Sequence, residues 1–365
     1  MRKSVLLISG ISFSSYFWAM TAHGQVRTAS PKDGAVLPVS AISSSQGAFF
    51  ANPVLPAGSF APWVMKNGEY YHYIRAAETA VALSRTPRLE QVGGAFATVV
   101  WRAGKESPIQ ADIRAPELYQ FDGKWYIYAS GKASAREPLA IQQLFVLESV
   151  GADPLGPYQF KTLLDPGSYA THPTVLSVPA ENSRYLVWSQ FERDGQALFI
   201  APLVNPWTLG EPKVRISVAQ HGWEKEEQAP VNEAPQVLLR HDKTFIVYSA
   251  GASWSEFYAM GLLINEDGNY LNPASWRKVA EPVFKKSDRN YVYGVGHASF
   301  VKSPDGTEDW MVYHGMSRPD GGQEDGSMRM QQFTWSAEGL PFFGEPVAAG
   351  IKLPVPSNRK FQSTK

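Results

Sequence analysis

The chain has 365 residues with 34 basic and 34 acidic side chains, so its formal net charge is zero, and it contains no cysteine. That balance leaves no broad basic surface for a phosphate backbone or an anionic membrane, which excludes nucleic-acid and membrane-surface binding as main tasks. Disulfides and thiolate metal sites are excluded too, while 44% hydrophobic and 13% aromatic content is that of a globular chain.

Residues 1–24 open with Arg2 and Lys3, continue as an apolar run broken by serines, and end on Ala22-His23-Gly24. This pattern predicts a secretory signal peptide, and with it a secreted or periplasmic protein with no membrane attachment after cleavage. The run is too short and too rich in Ser for a transmembrane anchor. Residues 25–48, rich in Ser, Ala, Pro and Gly without periodicity, read as a flexible tether. From Phe49 to about Val355 the texture changes to short apolar and aromatic runs bounded by turns, and residues 356–365 read as a C-terminal tail.

A repeat organises the middle of the chain. A strand opens with a residue before proline at Ala61-Pro62, Ala115-Pro116, His172-Pro173 and Ala234-Pro235, and a fifth copy without the proline stands at His297-Ala298. The intervals are 54, 57, 62 and 63 residues, enough for about four strands each. A turn signal follows each opening: Asn67-Gly68, Asp122-Gly123, Glu181-Asn182, His241-Asp242 and Asp305-Gly306. An aromatic-rich run then follows each turn: EYYHYI, KWYIYAS, RYLVWSQ, TFIVYSA and DWMVYHG. Five such units predict an all-β fold, a five-bladed β-propeller, over a β-sandwich, which requires no repeat. The first strand of each blade then lines the central channel, so the residues before the prolines converge on one axial pocket.

The stretches NPVLP (Asn52 to Pro56), APELYQFDGKWYIY (Ala115 to Tyr128), WEK (Trp223 to Lys225), VNEAPQVL (Val231 to Leu238), NPASW (Asn272 to Trp276) and SPDGTEDWMVYHG (Ser303 to Gly315) resemble glycoside hydrolase family 43, in its exo-acting α-L-arabinofuranosidase branch. The resemblance implies an inverting hydrolysis of oligo- or polysaccharides by three carboxyl groups: a base, a pKa modulator and a general acid. It places the acid on Glu233. The aspartates it implies for the base and the modulator fall on Ala61 and His172, so two of the three are replaced, and His172 is carried as a catalytic-site candidate.

The remaining assignments also follow the resemblance or its departures. Arg114 stands where the family has Trp, and Arg329 matches a sugar-holding arginine. Arg75 follows the first aromatic strand, and His72 lies within it. Two anions lost and cations gained predict a pocket that takes an acidic glycan such as a uronate, which Arg grips bidentately. Trp63 and Trp188 are predicted to form a stacking floor for the sugar. His297 resembles the axial histidine that helps hold a calcium ion in the family; no organic cofactor is expected, and the protein is expected to be a monomer. Asp112, Glu117 and Glu224 are candidates for a relocated base, Glu224 reading most simply as a solvated loop acid. Two competing functions share this fold: a catalytically silent glycan-binding propeller, and a uronate-directed lyase using Arg114 with His172 or a pocket Tyr.

Overall fold

The computed structural model describes residues 48–77, 79–134 and 141–358. The predicted signal peptide and all of the tether but Ala48 lie outside the described residues, as does the tail after residue 358. Among the described residues no helix is long and apolar enough to cross a membrane.

The repeat folds into five antiparallel sheets arranged as a β-propeller. The inner strands are Trp63–Asn67, Ala111–Phe121, Ala170–Val178, Asn232–Arg240 and Tyr293–Lys302, each the first of its blade. Every inner strand pairs with the aromatic strand that follows the predicted turn: Tyr70–Ala77, Lys124–Lys132, Ser183–Glu192, Lys243–Ala250 and Asp309–Met316. Turn chemistry fits the hairpins. In blade 2 both loop residues, Asp122 and Gly123, have positive φ (53° and 80°), the geometry that tight two-residue hairpins require.

The aromatic strands are apolar on both faces because each sheet is sandwiched between two others. Trp125 and Ile127 pack into the core shared with blade 1, whereas their neighbours Tyr126 and Tyr128 pack into the core shared with blade 3. Three more interblade cores complete the ring, and the one between blades 5 and 1 includes Tyr71, Tyr73, Trp310, Met328 and Met330. The ring closes by sheet addition: Leu55–Ala57, ahead of blade 1 in sequence, pairs with Ser327–Trp335 of blade 5. Asn52 of the NPVLP stretch extends that seam. Its side chain accepts from Met330 N and donates to Met330 O, each at 2.9 Å, as a neighbouring strand would.

One feature of the inner strands is invisible in the residue pattern. Ala61, Ala115, His172, Ala234 and His297 all sit at positive φ, between 45° and 54°, a region that costs non-glycine residues energy and clusters at functional sites. In blades 2 to 5 the ladder skips two residues at this point; Arg114 pairs Ser130, Thr171 pairs Ser189, Glu233 pairs Ser249 and Gly296 pairs His314 immediately before the skip. The predicted openings are therefore four ladder bulges and, at Ala61 just ahead of the blade 1 strand, the same positive-φ geometry without a ladder skip. A bulge re-aims side chains out of the ladder, and here it turns them toward the axis.

Candidate active site

Glu233 is the centre of the mouth. It stands on the blade 4 inner strand, directly before the bulge residue Ala234. Behind it, the segment Gly222–Gln228 is locked to the strand by Glu224, whose side chain has no exposure. Glu224 pairs with Lys278 at 2.6 Å and accepts from Tyr248 OH, Asn232 Nδ2 and the backbone N–H groups of Gln220 and His221. The expectation of a solvated loop acid is thus corrected. A carboxylate with every lone pair engaged is a structural anchor, and Glu224 is removed as a base.

The Glu233 carboxyl is held from two sides. Tyr258 donates to Oε1 at 2.8 Å and Gln196 to Oε2 at 3.4 Å. Burial raises its pKa above the ordinary carboxyl value, while the Tyr258 bond, the charge of Arg114 and the Gln196 bond pull it partly back. Desolvation thus does what a neighbouring anion was expected to do. His172 Nδ1 lies 3.8 Å from Glu233 Oε2, too long for a hydrogen bond. Its own burial, then the neighbouring His297 and Arg114, keep the imidazole neutral, so His172 does not act as a cation that acidifies Glu233.

Tyr258 reaches Glu233 because Gly296 gives it room. A Cβ on Gly296 would meet the Tyr258 ring at 2.2 Å and Ser249 Oγ at 2.9 Å. Gly296→Ala is expected to push the ring off Glu233 and to cost roughly 1–3 kcal/mol through overpacking. A melting curve measures the second effect, and the pH dependence of catalysis measures the first.

Arg114 occupies on blade 2 the ladder position that Glu233 occupies on blade 4. Its Nε and Nη2 are bound at 2.7 and 2.9 Å to the two carboxylate oxygens of Asp112, and Lys132 Nζ is 3.2 Å from the same carboxylate. The fork that was expected to grip a uronate is closed by an acid of its own strand. Tyr169, edge-on to Phe191 with ring centres 4.5 Å apart, borders this group. Arg75 is exposed on the blade 1 strand Tyr70–Ala77, one residue beyond the partner of Trp63.

Three expected sugar contacts lie elsewhere. Trp188 has no exposure, donates to Gln190 Oε1 and stacks on Phe199; it is on a second strand, which faces the neighbouring blade rather than the channel. Trp63 donates to Gln236 Oε1 at 3.1 Å and lines a cavity of about 530 Å³ with Tyr119, Thr174, Gln236, Ser299 and Lys302. These residues follow the openings along their inner strands, so the cavity is at the far end of the channel from Glu233. Arg329 is fully buried in blade 5, donating to Gly315 O, Val347 O and Ser317 Oγ, and ties a strand to the C-terminal loop. His72, counted among the gained cations, is buried 6.0 Å from the Trp125 ring with its pKa lowered to about 4 by desolvation first, so it is neutral and outside the mouth.

Glu117 is also removed as a base. It is buried at the axis on the far side of the bulge, taking hydrogen bonds from Gln236 of blade 4 and Tyr119. Burial lifts its pKa to about 8. The folded state then keeps a proton that the unfolded chain loses near pH 4.5, so this group's contribution to stability is full below that pH and is lost as pH rises through about 8. Glu117→Gln is expected to remove that decline between pH 5 and 8, read as melting temperature against pH for both proteins.

The axis also tests the expected ion. His297 stands at its bulge with Nδ1 buried and without a hydrogen-bond partner, its ring 5.0 Å from that of His172 and 6.0 Å from Phe60. Calcium needs six to eight oxygen ligands. Among the described residues no group of three or more His, Asp, Glu or Cys is placed to hold an ion. His297 is the one side chain that the resemblance assigns to the ion, a calcium there would take its remaining ligands from water, and no catalytic step passes through it.

Residues 50–341 match the family described as "Glycosyl hydrolases family 43". An alpha-L-arabinofuranosidase 43 of Humicola insolens is 34% identical over 81% of this chain and 64% of its own length. An extracellular exo-alpha-(1->5)-L-arabinofuranosidase of Streptomyces avermitilis is 35% identical over 84% of this chain and 66% of its own. The chain thus spans just under two thirds of these relatives. Among solved structures, an alpha-L-arabinofuranosidase from Lactobacillus brevis superposes with a TM-score of 0.76 at 29% identity, covering 83% of this chain and 98% of that one.

Proposed function

Because the chain belongs to glycosyl hydrolases family 43, we propose that it is a glycoside hydrolase that removes α-L-arabinofuranosyl units from oligo- or polysaccharides, with Glu233 as the general acid. The observation that carries the reading is the state of Glu233: a carboxyl buried at the mouth, held by Tyr258 and Gln196, with its pKa raised by burial. An acid of that kind retains its proton at the pH where it must give it to the leaving oxygen.

The mechanism departs from the three-carboxylate scheme that the resemblance implies. Ala61 and His172 occupy the positions of the base and the modulator. Burial replaces the modulator, and the base has to come from elsewhere. Neutral arabino-oligosaccharides are the expected substrates, because a sugar carboxylate would have to compete with the bidentate Arg114–Asp112 pair. A lyase would need Arg114 for its uronate, and that fork is closed by Asp112; a silent propeller has no need of a positioned Glu233 with a raised pKa. Secretion is part of the proposal: residues 1–24 have the composition of a signal peptide, and the Streptomyces relatives are named extracellular. A monomer is the proposed working unit.

The test is a product analysis on neutral and acidic arabinose-containing oligosaccharides. Arabinose released without ultraviolet absorbance is expected. An unsaturated product would replace the reading by a lyase, and saturable binding without any product would replace it by a lectin-like role.

A further inference from the structure

Resting on the hydrolase reading, we propose that Asp112 is the general base, the carboxylate that takes the proton from the attacking water in place of the one missing at Ala61. In a ring of five blades, blade 4 is adjacent to blades 3 and 5 and stands equally far from blades 1 and 2. A carboxylate on the blade 2 inner strand therefore faces Glu233 across the mouth from the same angular distance as one at Ala61 would.

Asp112 is built for that position. Its backbone is at φ 51°, and the ladder between Ala111 and Arg114 skips at this point, a second bulge on the same strand. A strained non-glycine residue of this kind is held by its surroundings for a reason. Gln142 Nε2 donates to its backbone carbonyl at 2.9 Å, fixing the bulge. Arg114 grips both carboxylate oxygens and Lys132 approaches one of them, while the side chain retains 30% exposure. The carboxylate is thus immobilised yet open to water, which Glu117 and Glu224 are not. Arg114 occupies the ladder position equivalent to Glu233, and its charge reaches Glu233, so one guanidinium acts on both acids. Inverting glycosidases need their acid and base about 6.5–9.5 Å apart to admit a water.

In the step, the water oxygen bonds to the anomeric carbon while the bond from that carbon to the leaving oxygen breaks. Glu233 gives its proton to the leaving oxygen, and Asp112 takes one from the water. Both protons equilibrate with solvent afterwards. Arg114 is a positioning residue that holds Asp112.

The experiment uses an aryl α-L-arabinofuranoside with a good leaving group, which lessens the need for the acid but not for the base. Wild type, Glu233→Gln and Asp112→Asn are assayed with and without sodium azide. Asp112→Asn is expected to lose about 10²- to 10⁴-fold in kcat with little change in KM, and azide is expected to restore turnover as an arabinofuranosyl azide of inverted configuration. Recovery by azide also shows that the variant is folded. Asp112→Asn within threefold of wild type, with Glu233→Gln impaired on oligosaccharides, would overturn the base and leave the hydrolase reading intact. Loss without azide recovery in Asp112→Asn and also in Asp112→Ser would make Asp112 only a support for Arg114. An inactive wild type would overturn the hydrolase reading and the base with it.

Discussion

Glu233→Gln is expected to lower kcat on arabino-oligosaccharides by about 10²- to 10⁴-fold, the usual worth of a general acid, and to cost far less on an aryl arabinofuranoside. The amide preserves the shape and the Tyr258 contact but has no proton to give to an alkoxide leaving group. The pH profile follows from the same residue. Glu233 must be protonated, so activity is present below its raised pKa and falls as pH rises through it. Tyr258 donates to the carboxylate form and so lowers that pKa. Tyr258→Phe is therefore expected to move the alkaline limb to higher pH, and so is Arg114→Ala, which removes a nearby positive charge. An alkaline limb that stays in place in both variants would detach it from Glu233, and full oligosaccharide activity in Glu233→Gln would remove Glu233 from the chemistry.

Ala61→Asp is expected to raise kcat/KM on arabino-oligosaccharides by about tenfold or more, within the range that a well-placed base contributes. The backbone is already suited to it. Ala61 is at φ 54°, where Asp is among the better tolerated non-glycine residues, so the substitution puts a carboxylate at the blade 1 opening, just ahead of the strand Trp63–Asn67. A base at the opening itself is aimed by the ring geometry, whereas Asp112 is drawn toward Arg114 and Lys132. In an Asp112→Asn background the same substitution is expected to restore most of the lost rate. Steady-state kinetics on the four proteins decides the matter; no gain in either background would mean that the Ala61 side of the mouth does not face the attacking water.

The residues that the structure brings to the mouth and those it places elsewhere differ in a physical way. Glu233, His172, Arg114 and His297 come together because the X-Pro openings mark a repeated backbone event, and a repeat of about 60 residues carries each copy to the same radius of the ring. Trp188 and Arg329 lie away from the mouth because position in the sequence does not say which face of a strand meets the channel. In a propeller both faces of every second and third strand meet another blade, so a large aromatic there is core. For Arg114 the sequence left open a ligand role or a pairing with Asp112 or Glu117, and the structure chooses Asp112. Its partner Asp112 is two residues away, and only the paired skip in the ladder brings both carboxylate oxygens onto the guanidinium.

By itself the sequence determined the all-β class, the five-fold repeat and the hairpin turns, because turn chemistry and period are local properties. Tertiary structure alone decided that the openings share a left-handed backbone around one axis and that burial raises the pKa of Glu233. It also decided that Glu117 and Glu224 are locked inside while Asp112 stays within reach of water. Those outcomes depend on desolvation and on pairings across blades, such as Gln236 with Glu117 over 119 residues of chain, which no local pattern encodes.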